Sequence, residues 1–376
     1  MIELRRGSLD DFFEVPFRAY PADSPYVSPM RSDLARQLST DNPLFADADA
    51  FRLYTAHRDG EAVGRIVCHL HPASDRAHGW RRACFGFFDC VDDSRVAGRL
   101  LEAAERFGRR RGCDELVGSF ELTAMQQMGV VTGGFGNAPY TDMHYNPPHL
   151  PRLLEEHGFE RRFPMSTWEV DLGALEPEDL LGTRQRELLA SPDLRWTTLR
   201  RRGLERQMDD VRRVLNDGFA DNPMFVPLSR EEFRFQSAEM TWIVDSRISS
   251  LVYRGDSPVG TVVCIPDLNP FLRATDSRLR WTTPFHFLRH RFRRRRAVII
   301  FYSVCRSAHG QGLAGAMLFR VTRALRRAGY QRLGVTWIAD ENPASLRQVE
   351  KLGARRLHRL HLFHKALRQK ATGESG

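Results

Sequence analysis

Val298-Ile299-Ile300-Phe301-Tyr302-Ser303-Val304-Cys305-Arg306-Ser307-Ala308-His309-Gly310-Gln311-Gly312-Leu313-Ala314-Gly315-Ala316-Met317-Leu318 decides the fold of this 376-residue chain. Its first seven residues form a near-continuous apolar run of the kind that makes a buried strand. From Leu313 the apolar residues recur at helical spacing. A strand that enters a helix through a glycine-rich turn leaves backbone N–H groups converging on one spot. The positive end of the helix dipole reinforces that spot, so it favours phosphate. Gly310, Gly312 and the small Ala314 let an anion come close to the backbone. Such a turn alone is weakly specific, and it serves a purely structural purpose about as often.

The surrounding sequence repeats itself. Asp59-Gly60-Glu61-Ala62-Val63-Gly64-Arg65-Ile66-Val67-Cys68 returns as Gly255-Asp256-Ser257-Pro258-Val259-Gly260-Thr261-Val262-Val263-Cys264, 196 positions later. Both copies read as a hairpin, with a polar turn leading into an apolar run. The helical stretches that end at Gly112 and Gly329 lie 217 positions apart, and Asn146-Pro147 returns at Asn342-Pro343 with the offset back to 196. The offset grows by about 21 and then falls back. This predicts two copies of one unit with insertions of similar length at different places: roughly Glu121 to Tyr145 in the first copy and about 268–296 in the second. Residues 1–172 form the first unit, 173–193 a polar linker punctuated by Pro177, Gly182 and Pro192, and 194–370 the second unit.

The element order is the same in each unit. A first strand (Ile2–Arg6; Leu194–Arg200) precedes amphipathic helix (Glu205–Phe219 in the second copy). The hairpin follows, then an apolar strand (Phe85–Val91; Val298–Val304), a helix, a strand, a short helix and closing strands. Strands interspersed with helices in this order predict an α+β or three-layer α/β unit, a mixed sheet flanked by helices.

His309-Gly310-Gln311-Gly312-Leu313-Ala314, with the hairpin before it and Asn342 to Ala354 after it, resembles the GNAT superfamily of acyl-CoA-dependent N-acyltransferases. The resemblance covers the chain as a tandem. It is nearest to large bacterial GNAT-like proteins that carry segments like Asn146-Pro147-Pro148 and Pro266-Asp267-Leu268-Asn269. The family signature is Gln or Arg, two residues, Gly, one residue, then Gly or Ala; Gly312 and Ala314 match, and His309 departs from it. The resemblance implies acetyl-CoA or a longer acyl-CoA as co-substrate and an amine acceptor that attacks directly. Pyrophosphate would rest on the amides of Gly310, Gln311, Gly312, Leu313, Ala314 and Gly315 beside His309. The pantetheine arm would lie along Ser303, Val304 and Cys305, with Asn342 facing the arm or thiol. The family's frequent tyrosine acid is replaced by Val349 in the second unit and by Leu154 in the first. Tyr302, Cys305, Asp340 and Glu341 are then the candidate catalytic groups by neighbourhood. Residues of these types in strands and loops are more often structural. A non-catalytic acyl-CoA-binding protein and an N-acyltransferase of long-chain, lipid-type amines are the alternative readings.

The first unit departs further. Phe87-Phe88-Asp89-Cys90-Val91-Asp92-Asp93-Ser94-Arg95-Val96-Ala97 has no glycine and puts two acids where phosphate approaches. Acid there caps a helix and repels pyrophosphate. Its turn therefore reads as structural, with Tyr140-Thr141-Asp142-Met143-His144-Tyr145 contributing to an acceptor pocket.

Composition is that of a globular protein: 42% hydrophobic, 27% charged, formal net charge +9. Arginine far outnumbers lysine, a bias that a GC-rich genome produces, so charge alone is weak evidence for nucleic acid. Met1-Ile2-Glu3-Leu4-Arg5-Arg6 lacks an export signal and no apolar run spans a bilayer, so a cytoplasmic location is expected. The six cysteines form no CxxC pair, so no metal site or disulfide is expected and buried free thiols are the plain reading. In the second insertion Phe271, Leu272, Leu279, Trp281, Phe285, Phe287, Leu288 and Phe292 alternate with arginines up to Arg293-Arg294-Arg295-Arg296. A charge run is first of all a solvated face. Aromatics interleaved with arginine also suit residues 271–296 to peripheral contact with anionic membrane at the inner face. Nucleic acid is not expected, because no nucleic-acid fold accompanies the patch.

Overall fold

The computed structural model describes residues 1–367 except 46 and 223, so residues 368–370 of the second unit lie outside the described part. Thirteen strands form one mixed sheet: β1 (Ile2–Arg6), β2 (Phe51–Arg58), β3 (Glu61–Leu70), β4 (Arg82–Cys90), β5 (Glu115–Gly118), β6 (Val130–Gly133), β7 (Glu160–Asp171), β8 (Leu194–Thr197), β9 (Ser250–Arg254), β10 (Ser257–Pro266), β11 (Arg296–Val304), β12 (Arg332–Ala339) and β13 (Arg355–Ala366). The spatial order is β1-β2-β3-β4-β5-β13-β7-β12-β11-β10-β9-β8, with β6 also on β13. Two pairs are parallel, β4 with β5 and β11 with β12; the other pairs are antiparallel. Helices flank the sheet, and the architecture is α+β.

The order reveals an exchange. β1 to β5 belong to the first unit, yet the strand beside β5 is β13 from the end of the second. β12 correspondingly pairs with β7 from the end of the first. The two long strands then pair with each other, from Arg355 opposite Glu169 to His364 opposite Glu160. The cores follow the exchange. Phe363, fully buried, and Leu367 pack among Phe85, Leu101 and Leu116 of the first unit. Val170 and Leu172 pack among Leu318, Leu325 and Leu333 of the second. Each fully buried large apolar side chain is worth about 1.5–3 kcal/mol, so neither core is complete without the other unit's strand.

The hairpin glycines that revealed the repeat have one physical role. A Cβ at Gly64 would lie 2.8 Å from Leu100 Cδ1 and 3.0 Å from Val96 Cγ1, both on the helix Ser94–Arg110. A Cβ at Gly260 would lie 2.7 Å from Met317 Sδ on the helix Leu313–Arg327. Each glycine lets the long helix of its unit sit directly on the sheet.

Several expected elements differ in extent. The strand expected at Leu194–Arg200 stops at Thr197, and β11 starts at Arg296. The segment read as a linker, 173–193, is folded: a 3-10 turn Pro177–Leu180 and a helix Thr183–Ala190 lie against the helix Leu313–Arg327. The second insertion forms the helices Asn269–Ala274 and Thr283–Arg293. Among the described residues no helix is long and apolar enough to cross a membrane.

The exchange predicts that fragments 1–172 and 194–376, each expressed alone, give no cooperative thermal transition by circular dichroism. Co-expressed, they should recover one.

Candidate active site

Strands β11 and β12 pair from Arg296–Arg332 to Ile299–Val335 and then part. The cause is visible in the β10 register: Val263 faces Phe301, Cys264 faces Ile299, and Ile300 is the extra residue of a β-bulge. Beyond it the edge of β11 from Ile300 to Val304 has β10 on one side and no strand on the other. The opening holds two adjoining spaces.

The first is a cleft of about 860 Å³ over the glycine turn. Gly310 and Gly312 have φ of +69° and +87°, which only glycine adopts without strain. The helix Leu313–Arg327 starts there, and its first intrahelical bond runs from Ala316 N–H to the Gly312 carbonyl. Gln311 N–H is spent on the Ala308 carbonyl at 3.4 Å, and the amides of Gly310 and of Gly312 to Gly315 are left to donate outward. Ser303, Val304, His309, Gly310, Gly312, Leu313, Ala314, Gly315 and Asn342 all line this cleft, and Arg347 and Lys351 add positive charge. The folded 173–193 segment supplies the facing wall through Leu180, Gly182 and Gln185. A phosphate-bearing thioester fits this donor set: free amides, a helix N-terminus, two cations and an open strand edge.

Two of the expected donor residues point elsewhere. Gln311 accepts from Arg254 at 2.8 Å and donates to the Ser307 carbonyl at 2.7 Å, so its side chain closes the turn. The Cys305 thiol donates to the Pro258 carbonyl at 3.4 Å and lines neither space. Burial, with Asp217 nearby, pushes that thiol up to about 11. Asn342 caps the helix Pro343–Lys351, its side-chain oxygen accepting from Ser345 N–H at 3.0 Å.

The second space is a cavity of about 450 Å³ at the wide end of the opening. Phe163, Phe219, Phe225, Phe301 and Trp337 make it apolar, and Tyr302, His309 and Asn342 are common to it and the cleft. Tyr302 carries a buried hydroxyl with no hydrogen-bond partner, and burial drives its ionisation well above the usual phenol range. It is a neutral donor awaiting an acceptor. Glu341 lines the cavity. Asp340 does not: both its oxygens accept from Arg359 at 2.6 Å, which holds its carboxyl below the usual range. Val349, where the family's tyrosine stands, is a buried wall residue.

Asp142 is the polar residue that sequence reading left among its neighbours. It comes from the first unit's insertion, at φ +66°, and lines the cavity. Among the described residues no hydrogen bond or ion pair holds its carboxylate. Half-buried at the cavity wall, the group is pushed up to about 7 by desolvation, with Asp33 adding to the effect. Its place depends on the Pro266-Asp267-Leu268-Asn269 segment. Buried Asp267 accepts from Thr141 N–H and hydroxyl, both at 3.0 Å, and Asn269 donates to the Pro139 carbonyl at 3.0 Å.

The equivalent opening in the first unit is filled by its own chain. Phe120 N–H donates to the Phe85 carbonyl at 2.8 Å, and Glu121 accepts from Phe87 N–H at 2.8 Å. A Cβ at Gly86 would meet Phe120 O at 1.8 Å. Asp93 caps the helix Ser94–Arg110 by accepting from Arg95 N–H at 2.8 Å.

Comparison with known proteins agrees with this geometry. Residues 209–354 match the acetyltransferase (GNAT) family. A protein named YghO from Escherichia coli (strain K12) is 22% identical over 373 residues, covering 97% of this chain and 94% of its own. A bacterial ceramide synthase from Caulobacter vibrioides (strain NA1000 / CB15N) is 24% identical over 375 residues, covering 96% and 95%. Among solved structures, a tandem GNAT protein from the clavulanic acid biosynthesis pathway superposes with a TM-score of 0.58 at 12% identity, over 98% of this chain and 100% of that one. Residues 209–354 thus resemble the acetyltransferase (GNAT) family, and over its whole length the chain has the tandem-GNAT fold.

Proposed function

We propose that the chain is an acyl-CoA-dependent N-acyltransferase whose acceptor is a long-chain amine. One observation carries the reading: the cleft over the glycine turn adjoins an aromatic cavity whose wall holds Asp142, a carboxylate with no partner among the described residues. The relative named as a ceramide synthase supports the same substrate class. A bound acyl-CoA supplies an activated acyl group at the junction of the two spaces. The amides of Gly310 and of Gly312 to Gly315, with Arg347 and Lys351, hold its phosphates, and the edge of β11 at Ser303 and Val304 holds its arm once the ring of His309, now 2.9 Å from the Val304 carbonyl, gives way. The unpaired backbone of β11 offers N–H groups that polarise a carbonyl. An amine arrives as an ammonium ion, which the Asp142 carboxylate attracts into an apolar wall and relieves of a proton. Tyr302 donates its hydroxyl to the departing sulfur, a modest demand because a thiolate is a tolerable leaving group.

The second insertion supports a membrane-facing role for such an enzyme. Trp281 is 93% exposed and Phe292 79%, and Leu279, Phe285 and Leu288 are exposed with them. Arg289, Arg291 and Arg293 share the helix Thr283–Arg293 and have no carboxylate partner among the described residues. Arg294 and Arg296 of the same basic run are engaged, with Asp245 at 2.9 Å and Asp267 at 3.1 Å. Exposed aromatics beside free arginines suit the interface of an anionic bilayer, from which a long-chain amine can be drawn.

Three outcomes test the reading. Gly312→Asp puts an anion where phosphate belongs and should weaken acyl-CoA binding at least about 100-fold by calorimetry; unchanged binding refutes the donor site. For Asp142, ionisation near pH 7 makes kcat/KM rise with pH through that value. Asp142→Asn should cost about 10²–10⁴-fold and abolish that limb. Because the folded carboxyl resists ionisation, the wild type loses stability between about pH 4 and 7, and the Asn variant should not. Replacing Arg289, Arg291 and Arg293 with Gln should abolish co-sedimentation with phosphatidylglycerol vesicles while leaving the melting temperature in place.

A further inference from the structure

Outside the acyl-transfer site, three side chains of the first unit meet in a way its sequence spacing does not announce. His69 and Cys84 are directly opposite each other on β3 and β4, and His71 follows two residues after His69. One ligating atom from each lies within 4.8 Å of the others. His69 is fully buried, Cys84 is 4% exposed, and His71 is half-buried.

The hydrogen bonds fix which ring nitrogens are available. His69 Nε2 is 3.2 Å from the Phe120 carbonyl, and His71 Nε2 is bonded to the Leu122 carbonyl. A carbonyl only accepts, so both Nε2 atoms carry the proton and both Nδ1 atoms carry a lone pair. This is the outer-shell arrangement that orients metal-binding imidazoles. His69 Nδ1 is buried and has no hydrogen-bond partner. A buried acceptor left bare costs about 1–3 kcal/mol, a cost that a ligand at that position removes.

The cluster is reachable. His71 and Cys84 line a cavity of about 290 Å³, which shares Ala124 and Met125 with the acceptor cavity. We propose that His69, His71 and Cys84 bind a single transition-metal ion of the zinc class through two imidazole nitrogens and a thiolate, with the remaining position open to this cavity. Two imidazoles and one thiolate form a donor set such ions take, and three protein ligands with one open position is the pattern of a site that can also hold water. Ligand atoms around a tetrahedral ion with bonds of about 2.0–2.3 Å stand roughly 3.3–3.6 Å apart. Binding therefore draws the three atoms together by about 1 Å at most of their separations. Binding exchanges the Cys84 proton for the metal–sulfur bond; the proton leaves to solvent and no electron moves.

Occupancy has a consequence for the neighbouring site. The carbonyls that orient the two imidazoles belong to Phe120 and Leu122, and the same loop continues into Ala124 and Met125. An ion held by β3 and β4 thus ties down the wall common to both cavities.

The full-length protein, stripped with chelator and titrated with cobalt(II) chloride, tests this. One equivalent should bind with a thiolate-to-cobalt charge-transfer band in the near ultraviolet. Cys84→Ser should abolish that band, and His71→Gln, at the half-buried ligand, should weaken binding at least about tenfold. Cys305→Ser should leave the band intact. Absence of the band, its persistence in Cys84→Ser, or an unchanged affinity in His71→Gln overturns the proposal. Should Cys84→Ser not fold, the His71→Gln titration decides alone.

Discussion

The antiparallel pairing of β7 with β13 is the interaction on which everything else in this protein rests. It joins the two halves into one sheet, and each half ends on a strand belonging to the other. Several polar groups buried along the seam are engaged across it. His358, fully buried, takes Thr167 at 2.9 Å on one ring nitrogen and the Asn137 carbonyl at 3.0 Å on the other. Glu169 receives Arg355 at 2.6 Å and the Tyr140 hydroxyl at 2.5 Å. Satisfied buried networks of this kind specify one register, because any slip leaves several groups unpaired at once. Tyr140 also blocks the position of a side chain at Gly334 on β12, so the first unit's insertion is locked across the second unit's sheet. That lock brings Asp142 to the cavity.

Two copies of one architecture have thus reached opposite solutions at the same place. In the second unit a bulge at Ile300 parts the strands and the gap stays open, with glycines, free amides and cations around it. In the first, Phe120 and Glu121 fold back into the gap and satisfy its backbone, and Asp93 caps the helix where an anion would have come. Charge makes the division consistent: an acid at one helix start excludes phosphate, and its absence at the other admits it. The first unit's loop still matters to the second, because Met125, Gln126 and Asp142 build the far wall of the cavity.

Much of this was legible in the chain. The Val-Gly repeat at Gly64 and Gly260 marked the two units because helix-on-sheet packing leaves no room for a Cβ there, a local constraint that sequence records directly. The glycine turn from Gly310 to Gly315 was legible for the same reason. The strand exchange was not, since the patterns of β7 and β13 suit either neighbour and nothing local says which one they join. Cys305 and Asp340 looked available by neighbourhood, yet one turns to Pro258 and the other to Arg359, partners distant in sequence. Asp142 could be located only as part of a segment, because its significance comes from being left unpaired in an apolar wall. His69, His71 and Cys84 were missed by a search for paired cysteines, since strand register rather than spacing along the chain unites them.

The exchanged strands also dictate the order in which the chain can mature during its own synthesis. The first unit's sheet lacks its neighbour for β5 until Arg355 to Ala366 has been made. At about 5–20 residues per second, the roughly 200 residues between β7 and the end of β13 take on the order of 10–40 s to appear. Throughout that interval β5 presents an unpaired edge and the surface that will receive Phe363 stays bare. Domain-by-domain completion from the N-terminus is closed to this protein, and its long-range pairing makes the final closure slow. Nascent chains of this fold are therefore exposed to misassociation through that edge until Arg355 to Ala366 pairs with it.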